Sequence, residues 1–136
     1  MKLAQVKKHI YSTISSLEKT IDLIETIVPG DVYLVKHRTY VFGGGRRNKE
    51  EVVSGVLRIE DLKKVSIGVS ILAAEKIHYP LNGYVGTNGR LLLGTPALNI
   101  RYNYIESIEV FQCTEAPLVI NYAYVSDEFK RLYFGT

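Results

Sequence analysis

The chain obeys two periodicities in succession, and the change between them limits its fold more than any other feature. From Leu3 to Val28, apolar residues recur every three or four positions, at Leu3, Val6, Ile10, Ile14, Leu17, Ile21, Ile24 and Val28. That spacing lines one face of an α-helix. Beyond Pro29-Gly30 the pattern is alternation, as in Leu98, Ile100, Tyr102 and Tyr104 against Asn99, Arg101 and Asn103. A period of two belongs to a strand with one buried face. The pattern predicts an α+β fold, mainly antiparallel β, with a sandwich- or barrel-like sheet, one long N-terminal helix and a short C-terminal helix. With 136 residues and neither a repeat nor a long linker, a single domain over 1–136 is expected. Its parts are an amphipathic helix over 1–28, a β-rich body over 31–125 and a short docking helix over 126–134.

Within the body, Asp31 to Phe42 and Glu51 to Ile59 are rich in Val, Tyr and Ile and predict a hairpin. Its tip is the loop Gly43-Gly44-Gly45-Arg46-Arg47-Asn48-Lys49. Glu60 to Lys64 suits a single helical turn. Val65, Ile67, Val69 and Ile71 alternate with Ser66, Gly68 and Ser70, which predicts a strand whose small face allows close approach of a helix, a second sheet or a neighbouring subunit, the N-terminal helix being the plainest candidate. Asn82-Gly83 and Asn88-Gly89 are tight-turn signals, with strands expected around Tyr84-Val85 and Arg90 to Leu93. Further strands are expected over Leu98 to Tyr104, Ser107 to Gln112 and Leu118 to Val125, with Ala116-Pro117 breaking the last two apart. The run Gly89 to Phe111, with its Asn-Gly-Arg-Leu-Leu-Leu and Ile-x-Tyr-x-Tyr-Ile-Glu-Ser-Ile-Glu-Val segments, resembles strands of pleckstrin-homology-like barrels. The likeness carries no catalytic or binding residue, and the long helix stands at the opposite end from that family's, so no function follows from it.

The two helices differ electrically. Lys2, Lys7, Lys8 and His9 crowd the start of the first, while Glu18, Asp22 and Glu25 lie toward its end. Both placements oppose the helix dipole, so packing of the apolar stripe must stabilise it. Leu3, Ile10, Leu17 and Ile24 recur every seven residues and could meet either the chain's own sheet or a second copy. The C-terminal segment agrees with the dipole: Ser126 can cap it, Asp127 and Glu128 follow, and Lys130 and Arg131 lie in its last turn. Phe129, Leu132, Tyr133 and Phe134 give it an apolar side.

Reactive groups are sparse. The three histidines, His9, His37 and His78, lack metal-ligand spacing and read as surface or half-buried residues. The one cysteine, Cys113, excludes an internal disulfide and reads as a small buried hydrophobe. Glu50-Glu51, Glu60-Asp61 and Glu106 with Glu109 look solvated rather than tuned for acid–base work. The Gly-Arg loop lacks the phosphate-loop pattern. Tyr102 with Tyr104 and Tyr122 with Tyr124 are each expected on one strand face, as a core or interface cluster. No catalytic, cofactor-binding or metal-binding residue is therefore predicted.

Nothing approaches the ~20 apolar residues of a membrane span. The Met1-Lys2-Leu3 start predicts no secretory signal, and placement inside a cell or a particle. Few amides beside many Lys and Glu fit a hot environment. The expectation is a non-enzymatic structural or assembly protein that self-associates, such as a viral or particle component. Its interface residues would be Leu3, Ile10, Leu17, Ile24, Phe129 and Tyr133, and it would be a homo-oligomer. The alternative, compatible with the net charge of +3, is nucleic-acid binding through Lys2, Lys7, Lys8, Arg46, Arg47 and Lys49 on phosphates. A small enzyme is the third reading.

Overall fold

The computed structural model describes residues 4, 5, 7, 18, 21–41, 49–78, 81 and 96–135. Residues 21–25 form a helical segment, α1. The strands are β1 (Val32–Val41), β2 (Lys49–Leu62), β3 (Ser66–Ala74), β4 (Ala97–Arg101), β5 (Ile105–Val110) and β6 (Tyr124–Val125). Two short helices close the chain, α2 (Ala116–Val119) and α3 (Asp127–Phe134). The strands form one six-stranded sheet in the order β4-β3-β2-β1-β5, with β6 pairing the end of β3. All pairings are antiparallel.

The sheet is strongly curled. Only a 3-10 turn, Tyr102–Tyr104, separates β4 at one edge from β5 at the other. Four residue steps span at most about 14 Å, whereas a flat path across five strands is about 19 Å wide. The edges must therefore curve toward one another. They do not pair, so the expected sandwich or barrel is an open curled sheet.

Curling leaves two faces to bury, and alternation along each strand divides the core accordingly. Tyr33 and Val35 of β1, Leu57 and Ile59 of β2, and Ile67, Val69 and Ile71 of β3 meet on one face with Ile27, Ile100, Ile105 and Tyr124. Leu23 and Ile24 of α1 pack against this face. On the other, Val56 and Leu72 meet Phe111, Ala116, Val119 and Phe129, which come from the C-terminal segment and its helices. Each fully buried Val, Leu, Ile or Phe among them contributes about 1.5–3 kcal/mol.

Several expectations change here. A single helix over 1–28 extends beyond the described residues; Ala4, Gln5, Lys7 and Glu18 are helical, as is α1. α1 stops before Thr26, whose Oγ1 donates to the Leu23 carbonyl at 2.8 Å. Ile27 N–H still donates to the Ile24 carbonyl at 3.1 Å, but Val28 N–H donates to the Tyr33 hydroxyl at 2.7 Å rather than back into the helix. Gly30, at φ 96°, then turns the chain into β1. α1 also lies on the apolar face of β3, not its small face. A Cβ added at Gly68 would meet Asn99 Oδ1, the Asp61 Cβ and the Lys63 Cε at 3.5, 3.5 and 3.7 Å, so polar side chains cover that face.

Glu60 to Lys64 is not a helical turn. β2 continues to Leu62, and Lys63 N–H donates to the Ser66 carbonyl at 2.9 Å to close a tight turn. Pairing of Asp61 and Leu62 with β3 outweighs local helix propensity. The strand expected to run from Leu98 through Tyr104 ends at Arg101. Leu118 to Val125 is not a strand either. Pro117 sits at the start of α2, where its fixed φ suits a first turn and its missing N–H is not needed. Only Tyr124–Val125 is extended. The strands expected around Tyr84-Val85 and Arg90 to Leu93, and the loop over 43–48, lie outside the described residues.

α3 forms as its sequence requires. The Phe129 N–H donates to Ser126 Oγ at 3.0 Å, Asp127 and Glu128 occupy the first turn, and Gly135 at φ 69° ends it.

Candidate functional site

The curl of the sheet and the shortness of β5 create the site. β5 pairs β1 only from Tyr33 to His37, with the register shifting between Lys36 and His37. From Arg38 to Val41, β1 has a ladder to β2 alone among the described residues. A cleft of about 130 Å³ lies there. It touches His37, Arg38, Thr39 and Tyr40 of β1 and Leu98, Asn99 and Ile100 of β4. Successive strand residues point to opposite faces. A cleft that touches them all must lie beside the strands, in the gap between the two ends of the sheet.

The outer edges of β4 and β5 have no ladder among the described residues. They differ in charge. β5 carries Glu106 and Glu109, both exposed. At the β4 edge stand exposed Arg101 and Lys63, whose Nζ donates to Asn99 Oδ1 at 2.9 Å, with exposed Lys64 next to it. Arg38 links the acidic side to β1, at 3.2 Å from Glu106 and 3.7 Å from Glu50. Exposed apolar residues accompany the edges. Val110 closes β5 at 57% exposure, and Val65, whose carbonyl accepts from the Tyr102 N–H, is 56% exposed beside β4.

Behind the cleft lie two imidazoles. His37 and His78 are 2% and 1% exposed, with ring centroids 6.0 Å apart and planes at 87°. Neither Nδ1 has a hydrogen-bond partner among the described residues. Burial pushes the His37 pKa down, partly opposed by a hydrogen bond with the Arg38 backbone. Burial, with the charge of His37 as a second cause, pushes His78 down to about 4. Both rings are therefore neutral near pH 7. The surface or half-buried reading of these two residues is corrected. Its missed signal is that His37 continues the inward series Tyr33, Val35.

The other anticipated residues are dispersed. Lys7 and Lys49 are exposed, while Lys2, Lys8, Arg46 and Arg47 lie outside the described residues. So do the side chains of Leu3, Ile10 and Leu17. Ile24 is half-buried against its own sheet. Phe129 is fully enclosed by its own domain, so it leaves no surface for a partner; Tyr133 is half-buried, 4.8 Å from it between ring centroids. The tyrosine cluster does not form: Tyr102 and Tyr124 pack on one face of the sheet and Tyr122 on the other, while Tyr104 is 40% exposed. Cys113 is exposed rather than buried, in a 3-10 turn closed by Gln112 and Glu115. Among the described residues no group of three His, Cys, Asp or Glu could hold a metal ion, and no helix is long and apolar enough to cross a membrane.

Comparison with known proteins finds no family model, no curated protein and no solved structure that matches the chain.

Proposed function

We propose that the chain is a non-enzymatic assembly protein whose copies join head to tail, the β4 edge of one against the β5 edge of the next. One observation carries this reading: the two ends of the same sheet present strand edges of opposite charge, and neither outer edge has a ladder among the described residues. An open edge is a template for another strand. Joining two β5 edges would set Glu106 and Glu109 against their own copies, and two β4 edges would oppose Arg101 and Lys63. Only the β4–β5 pairing matches acid with base. It is heterologous, so it produces a closed ring or an open filament. Structural duty in a virus or another particle fits a chain that polymerises and carries few reactive groups.

Size-exclusion chromatography with light scattering tests the reading. The expected result is an oligomer of defined size, or a filament, weakened at least tenfold in apparent affinity by either Glu109→Lys or Arg101→Glu. The double variant E109K/R101E, which exchanges the charges, should recover assembly. A monomer at high concentration in low and moderate salt would overturn the proposal.

A further inference from the structure

His37 and His78 occupy the corner where the sheet is held least redundantly. His37 is the last residue of β1 paired to β5. His78 bridges Val41, at the far end of β1, and its carbonyl accepts from the Leu81 N–H at 2.8 Å. Thus β1, β5 and the strap after β3 meet through two imidazoles set edge to face. Val53 lies across from His37 on β2 and Ile105 on β5, so neither flank offers a charge.

The carboxylates around this corner are engaged elsewhere. Glu50 and Glu106 face Arg38, and Glu51 accepts from Lys76 Nζ at 2.9 Å. Glu75 accepts from the Ser54 N–H at 2.9 Å. Of the remaining charged groups, Lys36 is exposed on β1, and Lys49 stands with Lys76 on the rim near Val41. A proton on either imidazole would meet no carboxylate and one neighbouring imidazole.

We propose that this pair is an acid-sensitive latch: protonation opens the corner formed by the end of β1, residues Ile77, His78 and Leu81 after β3, and the start of β5. The sign follows from linkage. Both groups have lower pKa values closed than open, so the latch is fully closed above about pH 6.5 and weakens as pH falls. His78 alone, held near 4 when closed, makes the open form about 80-fold more populated at pH 4 than at pH 6.5. If the assembly reading holds, opening loosens the β5 edge, so acid releases subunits before it unfolds them. That consequence rests on the proposed function; the latch itself does not.

The test uses the whole chain. NMR titration of the two imidazole C2–H signals should show His78 titrating below pH 5. Hydrogen exchange, corrected for intrinsic rates, should rise between pH 6.5 and 4.5 in residues 37–41, 77–78 and 105–107, and stay flat across residues 67–73. His78→Gln should flatten the pH response of the same peptides. Titration of both imidazoles near pH 6.5, or acid opening unchanged in His78→Gln, would overturn the latch. Should H78Q fail to fold, the wild-type titration still decides. A chain that is monomeric at pH 7 yet opens this corner on acidification supports the latch and overturns only the assembly reading.

Discussion

The two faces of the sheet are sealed by different chemistry. Against the second face, Phe111, Phe129 and Tyr133 stack with centroids 4.8–5.8 Å apart, and α3 supplies its own caps. Against the first, the buried set includes Tyr33, Tyr102, Tyr124 and both imidazoles. Apolar contacts are indifferent to pH and to small rotations. Buried polar atoms stabilise only when each finds a partner. The second face is therefore a fixed platform, and the first holds the parts that can be switched.

The largest expected effect comes from emptying the platform. Phe129 is fully buried among three rings. Phe129→Ala should cost about 3–5 kcal/mol, read from urea denaturation at pH 7. Its stability loss should be the same at pH 7 and pH 5, because no titrating group lies in that cluster's centre. A loss that varied strongly with pH would mean that the two faces are not independent.

A smaller effect tests how α3 is held. Ser126→Ala removes the acceptor of the Phe129 N–H in a buried setting, and should cost about 1 kcal/mol in thermal or urea unfolding. A loss as large as that of Phe129→Ala would show that the cap, rather than ring packing, secures the second face.

The faces also differ in how plainly the sequence displays them. α3 was legible in the sequence, because a Ser cap, two acids in the first turn and basic residues in the last all act within six residues. β1, β2 and β3 were legible from alternation. The curled sheet was not, since it depends on β5 finding β1 from the far side of the chain. Pro117 misled because alternation in Leu118 and Ile120 imitates a strand, although both side chains are exposed in or beside a helix. The histidine pair was legible only by half. His37 continues an inward series, but nothing local brings His78 to it across the bridge to Val41.

The smallest effect has a sign that separates satisfied from unsatisfied polar burial within the first face. The Tyr33 hydroxyl accepts from Val28 N–H at 2.7 Å and donates to the Thr26 carbonyl at 3.3 Å, so it ties α1 to β1. The Tyr124 hydroxyl is buried without a partner among the described residues, and burial, with Asp127 and Glu128 as lesser causes, pushes its pKa up to about 12. Tyr33→Phe leaves an amide without its acceptor and should cost about 1 kcal/mol. Tyr124→Phe removes a hydroxyl that gains nothing from burial, and should leave stability unchanged or raise it by up to about 1 kcal/mol. Paired urea titrations at pH 7 read both. Equal losses in the two variants would mean that the Tyr124 hydroxyl is bonded in solution, and that the first face is as fully satisfied as the second.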